Sequence, residues 1–127
     1  MMMNSRNHTE QAMRFAERRT REDEAPRLHD EVPSLVSLKL NVEDRSGVIA
    51  GTKYTRRVVV DRAPALFVVP CGDPRCQSEG HDLTRQVMSA LRARARSFQG
   101  EDGCNGSVGQ GECLRVLKFE AVAEYGP

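Results

Sequence analysis

Four cysteines and one histidine carry the metal and redox chemistry open to this chain. Cys71 and Cys76 are separated by four residues and Cys104 and Cys113 by eight, with 27 residues between the two pairs. His81 stands five residues after Cys76, inside the stretch VVPCGDPRCQSEGHDLT that runs from Val68 to Thr84. Thiolate and imidazole are the donors Zn²⁺ prefers, and donors two to four residues apart can reach one ion from a single turn of chain. The first pair meets that spacing; the second is looser than a standard knuckle. In a reducing compartment four cysteines read as ligands before they read as disulfides. The expected site is therefore one structural zinc held by Cys71, Cys76, Cys104 and Cys113, with His81 outside the set or replacing one cysteine. Two other readings stay open. One is a pair of local disulfides, Cys71–Cys76 and Cys104–Cys113, which needs an oxidising compartment. The other is unligated or redox-active thiols, although a thioredoxin-like site wants CxxC ahead of a helix. Arg75 and Arg94 could offset the double negative charge of four thiolates on Zn²⁺. His81 could instead simply end its loop and cap the helix that follows.

The elements that must position these residues are legible from periodicity. From Ser34, Val36, Leu38, Leu40 and Val42 alternate with Ser37, Lys39, Asn41 and Glu43, which predicts a half-buried strand. DRSG then turns the chain into a second extended run, Val48 to Val60, broken at Gly51. ALFVVP reads as a short central strand covered on both faces. Three strands joined by short turns suggest a meander. A helix is expected from Asp82 to Phe98, with Asp82 as N-cap and Gly100 as the glycine beyond its C-terminus. Leu83, Val87, Ala90, Leu91, Ala95 and Phe98 fall on one arc of it; Arg94 sits inside that arc and does not fit. A glycine-rich loop follows, then a strand from Leu114 to Tyr125 with alternate apolar residues.

A helix of that length is about 25 Å long, and it separates the two cysteine pairs. The long loop after it could run back along the helix to the first pair. The final strand would then start beside Cys71 and run antiparallel to Ala65–Val69. The expected fold is a small α+β domain over residues 32–127, in β-β-β-α-β order with one packed amphipathic helix and a zinc staple. Residues 1–31 read as a polar arm, flexible or helical, with six arginines, seven acids and no sustained apolar stripe.

Composition narrows the function classes. The chain has 127 residues with net charge +1, is 29% charged and contains no Trp, so its core is lean. Small domains with lean cores often carry a metal or disulfides. No stretch is apolar enough to span a membrane, and the start MMMNSRNHTEQ lacks the apolar segment of a secretory leader, so a cytoplasmic setting is expected. HExxH, GxSxG, the P-loop and the zinc-deaminase pattern are all missing, which argues against an enzyme. The leading expectation is a module that binds another protein. The alternative is a nucleic-acid binder using a helix face of Arg85, Arg92 and Arg96, with Arg56, Arg57 and Arg62 clustered near the end of the second extended run. Against it, the 13 basic residues from Val32 onward are nearly balanced by 11 acids.

Overall fold

The computed structural model describes residues 2–46, 49–72, 76, 80–104, 106–108 and 111–127. It is a mixed α+β fold. Two helices, α1 (Met2–Glu24) and α2 (Leu28–Glu31), precede a hairpin of β1 (Leu35–Ser46) and β2 (Ile49–Val58). Then come β3 (Val68–Val69), β4 (His81–Asp82), α3 (Thr84–Arg92), β5 (Ser97–Gly103), β6 (Ser107–Val108), β7 (Gly111–Glu112) and β8 (Arg115–Tyr125). The main sheet is antiparallel in the order β2-β1-β8-β5, with two ribbons, β3-β4 and β6-β7, beside it.

Alternation builds the inner face of the sheet. Leu38, Leu40 and Val42 of β1 and Leu117, Phe119, Ala121 and Ala123 of β8 are buried, together with Val87, Met88 and Leu91 of α3. Volumes are matched across strands. Ala121 lies between Leu40 and Phe98, while Phe119 lies between Val42 and Gly100. A Cβ on Gly100 would stand 2.8 Å from the Phe119 ring, so the glycine gives that ring its place. The outer face is solvated and alternates in charge: Lys53, Glu43, Lys118 and Glu101 are direct partners across all four strands. Opposite charges facing each other across strands each contribute a few tenths of a kcal/mol, ~0.2–1.

Several expectations change. Val36 is 60% exposed, because the pairing of β1 with β8 slips between Leu35 and Ser37 and leaves Val36 as the extra residue; Leu35 takes the buried position. The expected break at Gly51 is present: Asp44 faces two residues of β2 there, and a Cβ on Gly51 would meet the Asp44 carbonyl. ALFVVP is not a strand of the main sheet. Ala65, Phe67 and Val69 are buried, but the segment pairs only with β4, because the place beside β1 belongs to β8. The final strand likewise pairs with β1 and β5 and not with Ala65–Val69.

The helix expected over Asp82 to Phe98 stops at Arg92. Arg94 adopts φ 57°, Ala95 N donates to Ala90 O (3.0 Å) and Arg94 N donates to Leu91 O (3.0 Å). This is a Schellman end, with arginine where glycine usually stands. It explains why Arg94 did not fit the apolar arc: the helix is over before it. Ala95 is half-buried beyond the helix, and Phe98 packs against the core from β5. Gly100 is a strand residue and no C-cap. At the other end Asp82 Oδ1 accepts from Thr84 N (3.0 Å), so Asp82 does satisfy an amide of the first turn.

The N-terminal segment is helical and docked. From Ala12 to Ala25 the half-buried positions are Arg14, Arg18, Arg21 and Ala25, spaced like one face of a helix. Arg14 Nη1 donates to the Cys76 carbonyl (3.0 Å), and Arg21 Nη2 pairs with Asp82 Oδ2 (3.1 Å). Leu28 of α2 is fully buried in the core, and Leu28 N donates to Ala63 O (3.0 Å). Among the described residues no helix is long and apolar enough to cross a membrane.

Candidate metal centre

Three chain segments meet at one edge of the fold and deliver the four cysteines. Cys71 lies two residues beyond β3 and Cys76 five positions further, Cys104 directly follows β5, and Cys113 stands just ahead of β8. Pairing of Gly103 with Val116, continued by Cys104 N donating to Arg115 O (2.9 Å), brings Cys104 next to the start of β8. The small β6-β7 ribbon folds the chain between Cys104 and Cys113 back on itself, and Cys113 N donates to Gly106 O (2.9 Å). Gly103 and Gly111, read from the sequence as loop, lie at a strand end and in a tight ribbon.

The four sulfurs lie within 4.8 Å of one another. Cys71 Sγ is 3.7 Å from Cys113 Sγ, and Cys76 Sγ is 3.4 Å from Cys104 Sγ. A tetrahedron with Zn–S bonds of ~2.3 Å has edges of about 3.8 Å, so four sulfurs this close could hold a metal ion. Cys76 and Cys113 are buried, while Cys71 and Cys104 are partly buried. No disulfide joins them, so the local pairs Cys71–Cys76 and Cys104–Cys113 are not formed.

Backbone amides address the sulfurs. Gly106 N donates to Cys104 Sγ (3.4 Å), and the Arg115 backbone hydrogen-bonds the Cys113 sulfur. In both cases the donor is two residues beyond the cysteine. Such bonds favour the thiolate, which is the form that binds metal. Without an ion, burial pushes the Cys113 thiol up; the Arg115 amide and Cys71 oppose that, while Cys104 and Cys76 add to it. A cation inside the cage reverses that balance.

No family model, curated protein or solved structure matches this chain. Sulfur-only tetrahedral sets suit zinc or iron, and four protein donors leave no open coordination position.

His81 is not in the four-sulfur group. It is fully buried, and its Nδ1 lies 2.9 Å from Asp102 Oδ2. An ionised carboxylate only accepts, so Nδ1 carries the proton; Nε2 has no hydrogen-bond partner among the described residues. His81 neither takes a cysteine's place in that group nor caps α3; it fastens β4 to β5. A second carboxylate, unread from the sequence, does the matching work on the other side. Asp102 and Asp44 both pair with Leu117. Asp44 is 5% exposed and accepts from Arg115 Nη1 (3.0 Å), and Gly72, next to Cys71, sits directly on its carboxylate. The sequence signal for Asp44 was an acid at an inward parity position of β1, hidden by the expected turn at DRSG.

The arginines are scattered. Arg85 and Arg92 are on α3, but Arg92 pairs with Glu31 (3.2 Å), and Arg96 lies beyond the helix, where its carbonyl accepts from Ala123 N (2.8 Å). Arg56 lies over the Phe67 ring (5.9 Å), and Arg57 is on the opposite face of β2, so the expected cluster with Arg62 is split. Arg94 lies over Tyr125 (5.4 Å) and donates to Gly126 O (3.0 Å), which employs it away from the cysteines. Arg75 lies outside the described residues.

Proposed function

We propose that this chain is a small zinc-binding module, with Cys71, Cys76, Cys104 and Cys113 as ligands and the metal in a structural role. The observation that carries this reading is the convergence of four sulfurs, from positions up to 42 residues apart, to within 4.8 Å of one another. A lean core supports it, since the cage ties β3, β5 and β8 together at one edge of the fold. Four sulfur donors argue for a closed site and thus for binding over catalysis. The partner class we assign is another protein, in a reducing cytoplasmic setting that keeps thiolates available. The near-neutral charge and the exposed Met13 and Phe15 on α1 support a protein over a polyanion.

Because metal binding to such a cage is coupled to folding, its removal unfolds the domain. Purified protein is expected to hold about one equivalent of zinc, and a strong chelator is expected to lower the melting temperature sharply. Less than about half an equivalent, with an unchanged melt in chelator, would overturn the proposal.

A further inference from the structure

The cage has an asymmetry that a purely structural site does not need. Two of its close sulfur pairs each join a partly buried cysteine to a buried one: Cys71 to Cys113 at 3.7 Å and Cys104 to Cys76 at 3.4 Å. Exposed thiolates are the ones that oxidants reach, and a resolving thiolate nearby turns the first oxidation product into a disulfide. We infer that the cage is a peroxide-responsive switch that releases its metal by forming two crossed disulfides, Cys71–Cys113 and Cys76–Cys104. This rests on the zinc reading above.

The chemistry balances. The thiolate of Cys71 or Cys104 attacks one oxygen of a hydroperoxide; the O–O bond breaks, hydroxide leaves, and the sulfur becomes a sulfenic acid that no longer holds the metal. The buried thiolate of the same pair then attacks that sulfur, forming S–S and expelling a second hydroxide. Over both pairs, Zn(SR)₄²⁻ and two H₂O₂ give two disulfides, Zn²⁺ and four hydroxides. Four electrons leave the sulfurs, and two peroxides are reduced. The pairing is the opposite of what the sequence spacing favours, since each bridge crosses from one cysteine pair to the other.

The switch has a mechanical output already in place. The carbonyl that Arg14 of α1 grips belongs to Cys76 itself. Oxidation that pulls Cys76 onto Cys104 changes the backbone to which the N-terminal helix is fastened.

The test uses the full zinc-loaded chain. Metal content is measured first; the protein is then titrated with hydrogen peroxide while released Zn²⁺ is followed with a chromogenic chelator, and disulfides are mapped by mass spectrometry without reduction. The expected result is complete zinc release at two peroxides per chain, with bridges 71–113 and 76–104, reversed by dithiothreitol and Zn²⁺. Retained zinc with intact thiols under peroxide that fully oxidises free cysteine overturns the switch. Local bridges 71–76 and 104–113, or sulfonic acids without disulfide, also overturn it. A chain that holds no metal yet forms the crossed bridges keeps the redox step and defeats the zinc reading. A chain that holds zinc and forms no bridge does the reverse.

Discussion

Gly72 shows how finely the cysteine edge is fitted at the level of single residues. A methyl group there would run into the Asp44 carboxylate, which is buried and anchored by Arg115, so neither side can yield cheaply. Gly72→Ala is expected to destabilise by about 1–3 kcal/mol, the usual range for overpacking. Gly103→Ala is the control, because a Cβ there meets nothing within 4 Å; it is expected to be neutral or slightly stabilising through the unfolded chain. Chemical denaturation of both variants checks the contrast, which equal losses would remove. The cysteines themselves were legible in the sequence because their types are rare and their chemistry narrow. Asp44, Asp102 and His81 were harder to read, since a carboxylate or an imidazole reveals its partner only once strands are in register.

Among the elements, the end of α3 is the most instructive. The apolar arc of Leu83, Val87 and Leu91 continues in sequence through Ala95 and Phe98, so periodicity alone carries the helix too far. The chain breaks instead at Arg94, whose positive φ any side chain adopts at a cost. Its side chain compensates by stacking on Tyr125 and holding the Gly126 carbonyl. Arg94→Gly and Arg94→Ala both lose these contacts, but only alanine keeps the backbone strain. The glycine variant is therefore expected to be the more stable of the two by about 1 kcal/mol, measured by thermal or urea unfolding. The strands were readable where one face is apolar, as in β1 and β8. β5 was not, because SFQGEDG shows neither alternation nor β-branched residues, and it becomes a strand by pairing with β8.

For the molecule as a whole, the docking of α1 was invisible in the sequence because it uses arginines on a carbonyl and a carboxylate, with no apolar stripe. Its electrostatic half is testable. Burial pushes the Asp82 carboxyl up, yet hydrogen bonds from Thr84 and Arg21 and the charge of Arg21 outweigh this and hold it below 3.8. A depressed carboxylate contributes stability above its unfolded value, and that contribution disappears as pH falls through the folded one. Acid also strips metal from thiolates, so Asp82→Asn at neutral pH isolates the effect: asparagine still caps Thr84 but gives Arg21 no charge. Hydrogen exchange in α1 is expected to speed up in this variant while α3 stays protected. Unchanged exchange in α1 would show that the pair contributes nothing to docking.

The central position of β8 has a consequence for how the protein is made. Both of its neighbours, β1 and β5, are synthesised before it, and the last of the four cysteines, Cys113, emerges only two residues ahead of it. Until Cys113 and the strand behind it leave the ribosome, the nascent chain carries a hairpin with an open edge and an incomplete set of thiolates. Sheet closure and metal capture then become possible within the same dozen residues of translation. Any shortage of metal or oxidation of the waiting thiols would be felt at that moment, when the open edge of β1 is most available to other chains.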